Sequence, residues 1–412
     1  MAVGPHNIVD LQAVEGVRIG VACAQIKQKV RPDVVLFEIA AHASVAGVFT
    51  KNAFCAAPVH VAKKHLSAGF NGSACEQQRY LLINTGNANA GTGQQGMLDA
   101  QFCCQALASK VNTFAGNVLP FSTGVIGETL PSEKITAALD TAINDLQASN
   151  WQRAALGILT TDTRIKGHSV NFEYQGQVVT ITGISKGSGM IKPNMATMLG
   201  FVASDAKISA DYLQMLLSQA TDKSFNRITV DGDTSTNDAC VLIASGASGV
   251  EISAADPQLS AIFAQHLNDL MLNIALQIVR DGEGATKLVK VACESARDTQ
   301  EALTVAYTVA HSPLVKTALF ASDANWGRIL AAVGRSGIED LDVDSLQIYL
   351  DDVCIVNRGG RAETYTEAQG AAVMSQEEIL IRIVLNRGAV DDAVWTTDLS
   401  QEYVTINADY RS

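Results

Sequence analysis

Lys186 to Phe201 reads KGSGMIKPNMATMLGF, a glycine-rich, proline-broken stretch that runs into Thr197 and then into an apolar segment. A threonine so placed could cut its own backbone. Its hydroxyl would have to reach the Ala196 carbonyl, so the preceding peptide must bend out of extended geometry, and Gly187, Gly189 and Pro193 supply that bend. If the Ala196–Thr197 bond shifts to an ester and hydrolyses, Thr197 becomes a chain terminus with a nucleophilic hydroxyl and a free α-amine. That amine titrates near pH ~8, close enough to neutrality to serve as general base for its own side chain. A surface turn in front of a strand would use the same residues. The order G-x-x-x-x-G-K-[ST] is absent, which speaks against a phosphate loop.

A self-cutting threonine needs donors for the oxyanion that forms as the carbonyl becomes tetrahedral, and backbone amides of a glycine turn suit that task. Ser122 to Gly127 (STGVIG) reads as one such turn, and Asn84 to Ala90 (NTGNANA) as another, with small side chains that allow close backbone approach. A plain turn cluster explains the three asparagines of the second equally well. Asn226 to Asp238 (NRITVDGDTSTND) is dense in short polar groups. Its Asp-x-Asp lacks the glycine and glutamate placement of a calcium loop, so it reads as a hydrogen-bonded scaffold around a buried site or as an exposed loop. Arg280 to Thr286 (RDGEGAT) sets Glu283 between two glycines, either to hold an ammonium group or as a solvated residue in a helix C-terminal turn. In Ser322 to Arg328 (SDANWGR), Trp326 fits packing as well as contact. The seven histidines show no metal-ligand spacing, and no metal or cofactor is expected.

These segments need elements to hold them. Helices are expected from Pro131 to Leu146, over Ala210 to Lys223, and from Pro257 to Val279, where Leu259, Phe263, Leu267, Leu270 and Ile274 share one face. Strands are expected over Val178–Ile184, Thr197–Ala203, Cys240–Ser245, Lys287–Cys293, Gln347–Val356 and Ile379–Leu385, and Gly16 to Cys55 reads as strand-rich. Long helices among many short strands point to layered α/β or α+β packing. Leu341 to Asn386 is the best candidate for a smaller separate module. At 412 residues, two or three packed units are expected. A net charge of −12 without a basic stripe argues against nucleic acid and favours a small polar substrate. No apolar run is long enough to span a bilayer, and the start resembles neither a signal nor a transit peptide, so a cytoplasmic location is expected. The eight cysteines form no C-x-x-C pair and read as reduced, buried thiols.

Taken in order, INTGNANAGTG, STGVIGE, TTDT, KGSGMIKPNMATML, NRITVDGDTSTND, RDGEGATK, SDANWGR and a C-terminal NADYRS closely resemble the ornithine acetyltransferase family, the glutamate N-acetyltransferases of arginine biosynthesis. The motifs run from Leu82 to Ser412, essentially the whole chain. The resemblance implies self-cleavage between Ala196 and Thr197 into an α chain of 1–196 and a β chain of 197–412. It implies a layered α/β sandwich like that of the self-processing aminopeptidases, resembling N-terminal-nucleophile hydrolases. Residues 197–285 would complete the catalytic sandwich, and about 286–412 would form a smaller C-terminal α/β module whose tail returns to the site. By motif, Thr197 is the nucleophile, Thr123 and Gly124 form the oxyanion hole, and Thr160, Lys186, Thr197, Glu283, Asn407 and Ser412 bind substrate. Gly91 is one departure, where cysteine is expected in many relatives. The implied reaction moves acetyl from N2-acetylornithine to glutamate through acetyl-Thr197 in a ping-pong cycle, with acetyl-CoA a further possible donor. The implied assembly holds two α and two β chains, without nucleic acid or membrane. A self-processing aminopeptidase or amidase would use the same threonine but pass the acyl group to water. A silent amino-acid-binding or scaffold protein of the same fold is the alternative from another class.

Overall fold

The structure, a computed structural model, describes residues 2–5, 10–27, 31–70, 76–192 and 198–409. The chain forms two compact units. One comprises Asn7–Asn226 and Asp233–Ile278; the other comprises Met1–His6, Arg227–Gly232 and Val279–Ser412.

The larger unit contains β1 (Val17–Ala22), β2 (Val34–Ile39), β3 (Ser44–Phe49), α1 (Ala57–His65), β4 (Arg79–Asn87), α2 (Gly93–Lys110), β5 (Val118–Val125), α3 (Ser132–Asn144), α4 (Trp151–Gly157), β6 (Lys166–Tyr174), β7 (Gln177–Lys186), β8 (Leu199–Ser204), β9 (Lys207–Ile208), α5 (Ala210–Asp222), β10 (Ala239–Ala244), β11 (Glu251–Ile252) and α6 (Pro257–Arg280), whose last two residues fall in the other unit. One sheet runs β1-β2-β4-β5 and a second runs β3-β10-β8-β7-β6. Side chains alternate across a strand, and the apolar residues obey that period. Val35, Phe37 and Ile39 of β2, with Leu81, Ile83 and Phe121, share one core with Phe201 and Ala203 of β8 and Val241 and Ile243 of β10. The intervening Val34 and Leu36, with Tyr80, Leu82 and Val118, join Ala100, Cys104 and Leu107 of α2 and Leu139 of α3. On the far side of the second sheet, Gly183 of β7 leaves room for α6: a Cβ there would lie 3.0 Å from Leu270. The result is helix, sheet, sheet, helix, the layered α/β packing that the sequence leads one to expect.

The smaller unit contains β12 (Leu288–Ala296), α7 (Thr299–Ala310), α8 (Pro313–Phe320), α9 (Trp326–Gly334), β13 (Gln347–Leu350), β14 (Val353–Asn357), β15 (Gly360–Arg361), α10 (Glu367–Met374), β16 (Glu378–Val384), β17 (Val390–Thr397) and α11 (Gln401–Ala408). Its sheet runs β15-β14-β13-β16-β12-β17. Residues 227–232 attach through a bridge of Ile228 to Trp395, where the Thr229 amide donates to the Trp395 carbonyl at 2.8 Å.

Several local expectations change. Gln347 to Val356 is a hairpin rather than one strand, because Asp351 turns the chain at φ +48° and its carboxylate accepts from the Leu380 amide at 2.9 Å. Residues 341–386 are no separate module: β13, β14 and β16 share their sheet with β12 and β17, and α10 starts there on a Thr366/Gln369 capping box. Ser122 to Val125 and Asn84 to Asn87 are ends of parallel strands rather than turns. Trp326 packs beside the apolar core of the smaller unit, at the start of a helix capped by Asn325.

Phe201 holds the two facing sheets together, its ring 5.5 Å from Phe37 and 5.2 Å from Phe121, centroid to centroid. Phe201→Ala is expected to cost about 3–5 kcal/mol, measured by urea unfolding; a loss within ~0.5 kcal/mol, the range of a surface change, would contradict this packing.

Candidate active site

Strand register gathers the candidate residues at one edge of the larger unit. Lys186, the last residue of β7, pairs with Leu199 at the start of β8, and Leu199 pairs with Ala239 at the start of β10. Met198 and Asp238 stand one residue before those strand starts, and the Ala239 amide donates to the Met198 carbonyl at 3.0 Å. From the other sheet, the end of β5 brings Thr123 and Gly124. Lys186 Nζ donates to Thr123 Oγ1 at 3.1 Å, both side chains being buried. Ala196 and Thr197 lie outside the described residues, as does Ser412.

Gly124 has to be glycine. Its φ is +136°, and a Cβ would fall 2.3 Å from the Gly86 carbonyl carbon, because β4 and β5 close to backbone contact here. With no side chain, nothing at this position screens the backbone amide. The asparagines of NTGNANA fix this edge rather than make a turn. Ser122 Oγ donates to Asn84 Oδ1 at 2.6 Å, and Asn84 Nδ2 donates to the Asn87 carbonyl at 3.0 Å. Asn237, from the polar segment before β10, donates to the Ala88 carbonyl at 2.5 Å and to the Ser122 carbonyl at 2.9 Å. That segment is in turn tied to residues 50–56, through Ala56 N to Thr236 O at 3.0 Å and Thr50 N to Asp238 O at 2.9 Å. Residues 233–238 are therefore the hydrogen-bonded scaffold anticipated, and the exposed-loop alternative falls away for Thr236, Asn237 and Asp238, all buried.

Two residues that carry the electrostatics were not singled out from the sequence. The side chain of Asp162, within TTDT, is fully buried, and its Oδ1 takes Lys166 Nζ at 2.7 Å and the Gly187 amide at 2.7 Å. Its Oδ2 accepts from the Thr160 amide at 3.0 Å, so Thr160 is positioned by Asp162. Burial alone would push this carboxyl up, but the Lys166 and Lys186 charges and these hydrogen bonds outweigh it and hold it well below the usual carboxylate range. Asp238 goes the opposite way: burial raises it well above that range, against hydrogen bonds from Ser235 and the Met198 backbone and the charge of Lys186. The Lys166 and Lys186 charges both act on the Asp162 carboxylate, and Lys186 also donates to Thr123. The Thr123 hydroxyl accepts from Lys186, so its own proton is free to point elsewhere, toward developing negative charge.

In the smaller unit, Glu283 is buried, which removes the solvated-turn alternative; it accepts from Asn407 Nδ2 of α11 at 2.8 Å. Gly284 lies at φ +68°, and a Cβ there would meet Ser400 Oγ at 2.5 Å. The start of α11 thus rests against RDGEGATK, with Ser400 Oγ donating to the Gly284 carbonyl at 2.6 Å. Asp398 accepts from the Thr286 and Lys287 amides at 2.8 and 3.0 Å. Among the described residues no group of three or more His, Cys, Asp or Glu is placed to hold a metal ion. No described helix is long and apolar enough to cross a membrane.

Comparison with known proteins agrees with the motifs. A family model described as the ArgJ family matches residues 18–412. The chain is similar to the arginine biosynthesis bifunctional protein ArgJ of Pseudomonas fluorescens (strain Pf0-1), 56% identical over 413 residues and covering 100% of each chain. Its counterpart in Pseudomonas syringae pv. tomato is 54% identical over 413 residues, again covering 100% of each. The crystal structure of the arginine biosynthesis bifunctional protein argJ from Bacillus halodurans is 40% identical, covers 50% of this chain and 97% of its own, and has a TM-score of 0.48.

Asp162→Asn would leave Lys166 buried against a neutral amide, an expected loss of about 3–5 kcal/mol at neutral pH by urea unfolding. Because the folded-state carboxyl titrates below its unfolded value, its contribution is present above the unfolded value and fades as pH falls toward the folded one. The gap between wild type and Asp162→Asn should therefore narrow in acid. A gap that stays constant down the acid limb would refute the charge assignment.

Proposed function

The chain belongs to the ArgJ family and is an acetyltransferase of arginine biosynthesis, and from that premise we propose that it works by cutting itself before Thr197 and carrying acetyl on the new terminal threonine. The products of cleavage are an α chain of 1–196 and a β chain of 197–412, the latter supplying β8 and β10 to the larger unit and, from Val279 on, most of the smaller unit in place of the 286 boundary expected from the sequence. Thr197 Oγ attacks the acetyl carbonyl of N2-acetylornithine, with its α-amine taking the hydroxyl proton and then protonating the departing ornithine nitrogen. Glutamate then accepts the acetyl group by the reverse steps. Thr123 and Gly124 hold the oxyanion in each half-reaction, while Thr160, Lys186, Glu283, Asn407 and Ser412 bind the amino-acid substrates. Acetyl-CoA serves as a second donor, two α and two β chains assemble, and the enzyme works in the cytoplasm.

The observation that supports this reading best is the 3.1 Å bond from Lys186 to the Thr123 hydroxyl, at the strand edge next to Met198. An ammonium that donates into a hydroxyl polarises it, and in a buried setting the effect is undiluted by water. Such a donor stabilises an oxyanion far more than a ground-state carbonyl, which is the requirement for rate rather than for binding alone.

Thr123→Val keeps the shape and removes the donor. It is expected to lower kcat for acetylglutamate formation from N2-acetylornithine by about 100- to 1000-fold with little change in KM. Thr197→Ala is expected to run as one intact 43.6 kDa band on a denaturing gel and to have no transferase activity. Full turnover by Thr197→Ala, or a wild-type enzyme that is active and uncut, would end the proposal. Acetate released in place of acetylglutamate when glutamate is supplied would favour the amidase alternative.

A further inference from the structure

Helix α11 is eight residues long and buries none of them, so neither its own hydrogen bonds nor apolar packing can hold it in place. Polar bonds at its base do so instead. Ser400 Oγ accepts from the Tyr403 amide at 3.3 Å and donates to the Gly284 carbonyl, and the Tyr403 hydroxyl donates to Asp231 Oδ2 at 3.2 Å. Just ahead of the helix, Asp398 Oδ1 takes the Thr286 and Lys287 amides while its Oδ2 takes the Thr286 hydroxyl at 2.6 Å. The position of α11, and of Asn407 on Glu283, therefore follows from where β17 ends. That end is gripped by a buried ammonium. Lys316 of α8 is 4% exposed, and its Nζ donates to Thr396 Oγ1 at 3.1 Å, to Thr397 Oγ1 at 3.2 Å and to the Thr397 carbonyl. The Leu399 amide donates back to the Lys316 carbonyl at 3.1 Å. All three acceptors of the ammonium are neutral, and a charge so placed is a costly way to fill a core position. Its use is better sought in geometry than in stability.

We propose that Lys316 is a positioning residue for the acetyl donor: by fixing the end of β17 it sets α11, and through Asn407 it aims the Glu283 carboxylate at the donor's ammonium group. This rests on the reading of Glu283 and Asn407 as substrate-binding residues. N2-acetylornithine carries its one ammonium on the side chain, whereas glutamate must present its amine unprotonated to take the acetyl group. A carboxylate that holds an ammonium therefore serves the donor more than the acceptor. Burial lowers Lys316 to about 8, against the charges of Asp398 after β17 and Asp231 in the 227–232 segment. Beyond these stand Lys287, lowered first by its own burial and acted on by Asp398, and the Tyr403 hydroxyl on Asp231. Below that pH the ammonium has one proton for each of its three acceptors. Above it the neutral amine is one donor short, and its attraction to the two carboxylates is gone. The grip on β17 thus weakens as pH rises.

Lys316→Met, which keeps length and loses every donor, tests the assignment in the full enzyme. It is expected to raise KM for N2-acetylornithine by about 10-fold or more, with KM for glutamate and kcat little changed, and to speed amide hydrogen exchange across residues 401–408. In the wild type, KM for N2-acetylornithine should climb as pH rises through about 8, and the variant should lack that climb. Asp398→Asn keeps an oxygen for the two amides but removes a charge that favours the ammonium, so it should move the climb to lower pH; this and the wild-type profile remain readable if Lys316→Met fails to fold. A KM for N2-acetylornithine that does not change in Lys316→Met, an equal rise for both substrates, or a wild-type KM that is flat across this range overturns the role of Lys316. Glu283→Gln with an unaltered KM for N2-acetylornithine overturns instead the reading on which it rests.

Discussion

A carboxylate with no exposure to water must be matched by charge, and that requirement on Asp162 organises the edge of the larger unit. Removing an ion from water costs several kcal/mol, so the fold is stable only when Lys166 and the amides of Gly187 and Thr160 are in place around it. Those partners come from three stretches: the turn after α4, the start of β6 and the end of β7. Pinning Gly187 fixes where β7 ends, and with it the direction of Lys186 toward Thr123. Orientation of the ammonium is thus a consequence of satisfying a buried anion elsewhere, which is why a residue that touches no substrate in the proposed mechanism can govern the group that does.

The opposite sheet meets this edge with neutral dipoles. Gly124 lets β5 close to backbone contact with β4 at Gly86, and the side-chain amides of Asn84, Asn87 and Asn237 tie down the carbonyls and hydroxyls around them. Each such bond contributes only about 1 kcal/mol net, but together they leave few ways for the Thr123 hydroxyl to move. Donors that are already aimed need no reorganisation when charge develops, and that is the source of oxyanion stabilisation in a buried site. Short polar side chains are required for this purpose: longer ones would not fit between strands that approach so closely.

The parts of the fold with strong periodicity were legible. The helices at 132–144, 210–222 and 257–280 and most of the strands follow from apolar spacing. Helix α2 was not legible, because Gly93, Gln94, Gln95 and Gly96 open it without a side-chain cap, and its burial depends on the face of the first sheet. The end of β4 was hidden by turn-forming residues, since nothing local reveals that Asn84 and Asn87 have partners within a buried strand. Thr123, Gly124, Lys186 and Glu283 could be named through family resemblance. The importance of Asp162 and Asp238 could not, because it arises from what surrounds each carboxyl. Asp162 meets Gly187, 25 residues on, and Asp238 is enclosed by segments near 50, 186 and 198.

Those two aspartates show how a fold assigns different work to one functional group. Both side chains are buried, and burial by itself raises both carboxyls. Asp162 stays ionised because a lysine lies at 2.7 Å and amide N–H groups complete its coordination, so it acts as a fixed negative charge. Asp238 has the same Lys186 nearby, but its Oδ2 has no hydrogen-bond partner among the described residues, and burial raises its carboxyl well above the usual range. The same group thus serves as a fixed negative charge where its oxygens are filled by a lysine and backbone amides, and as a carboxyl biased toward its protonated form where burial outweighs its partners.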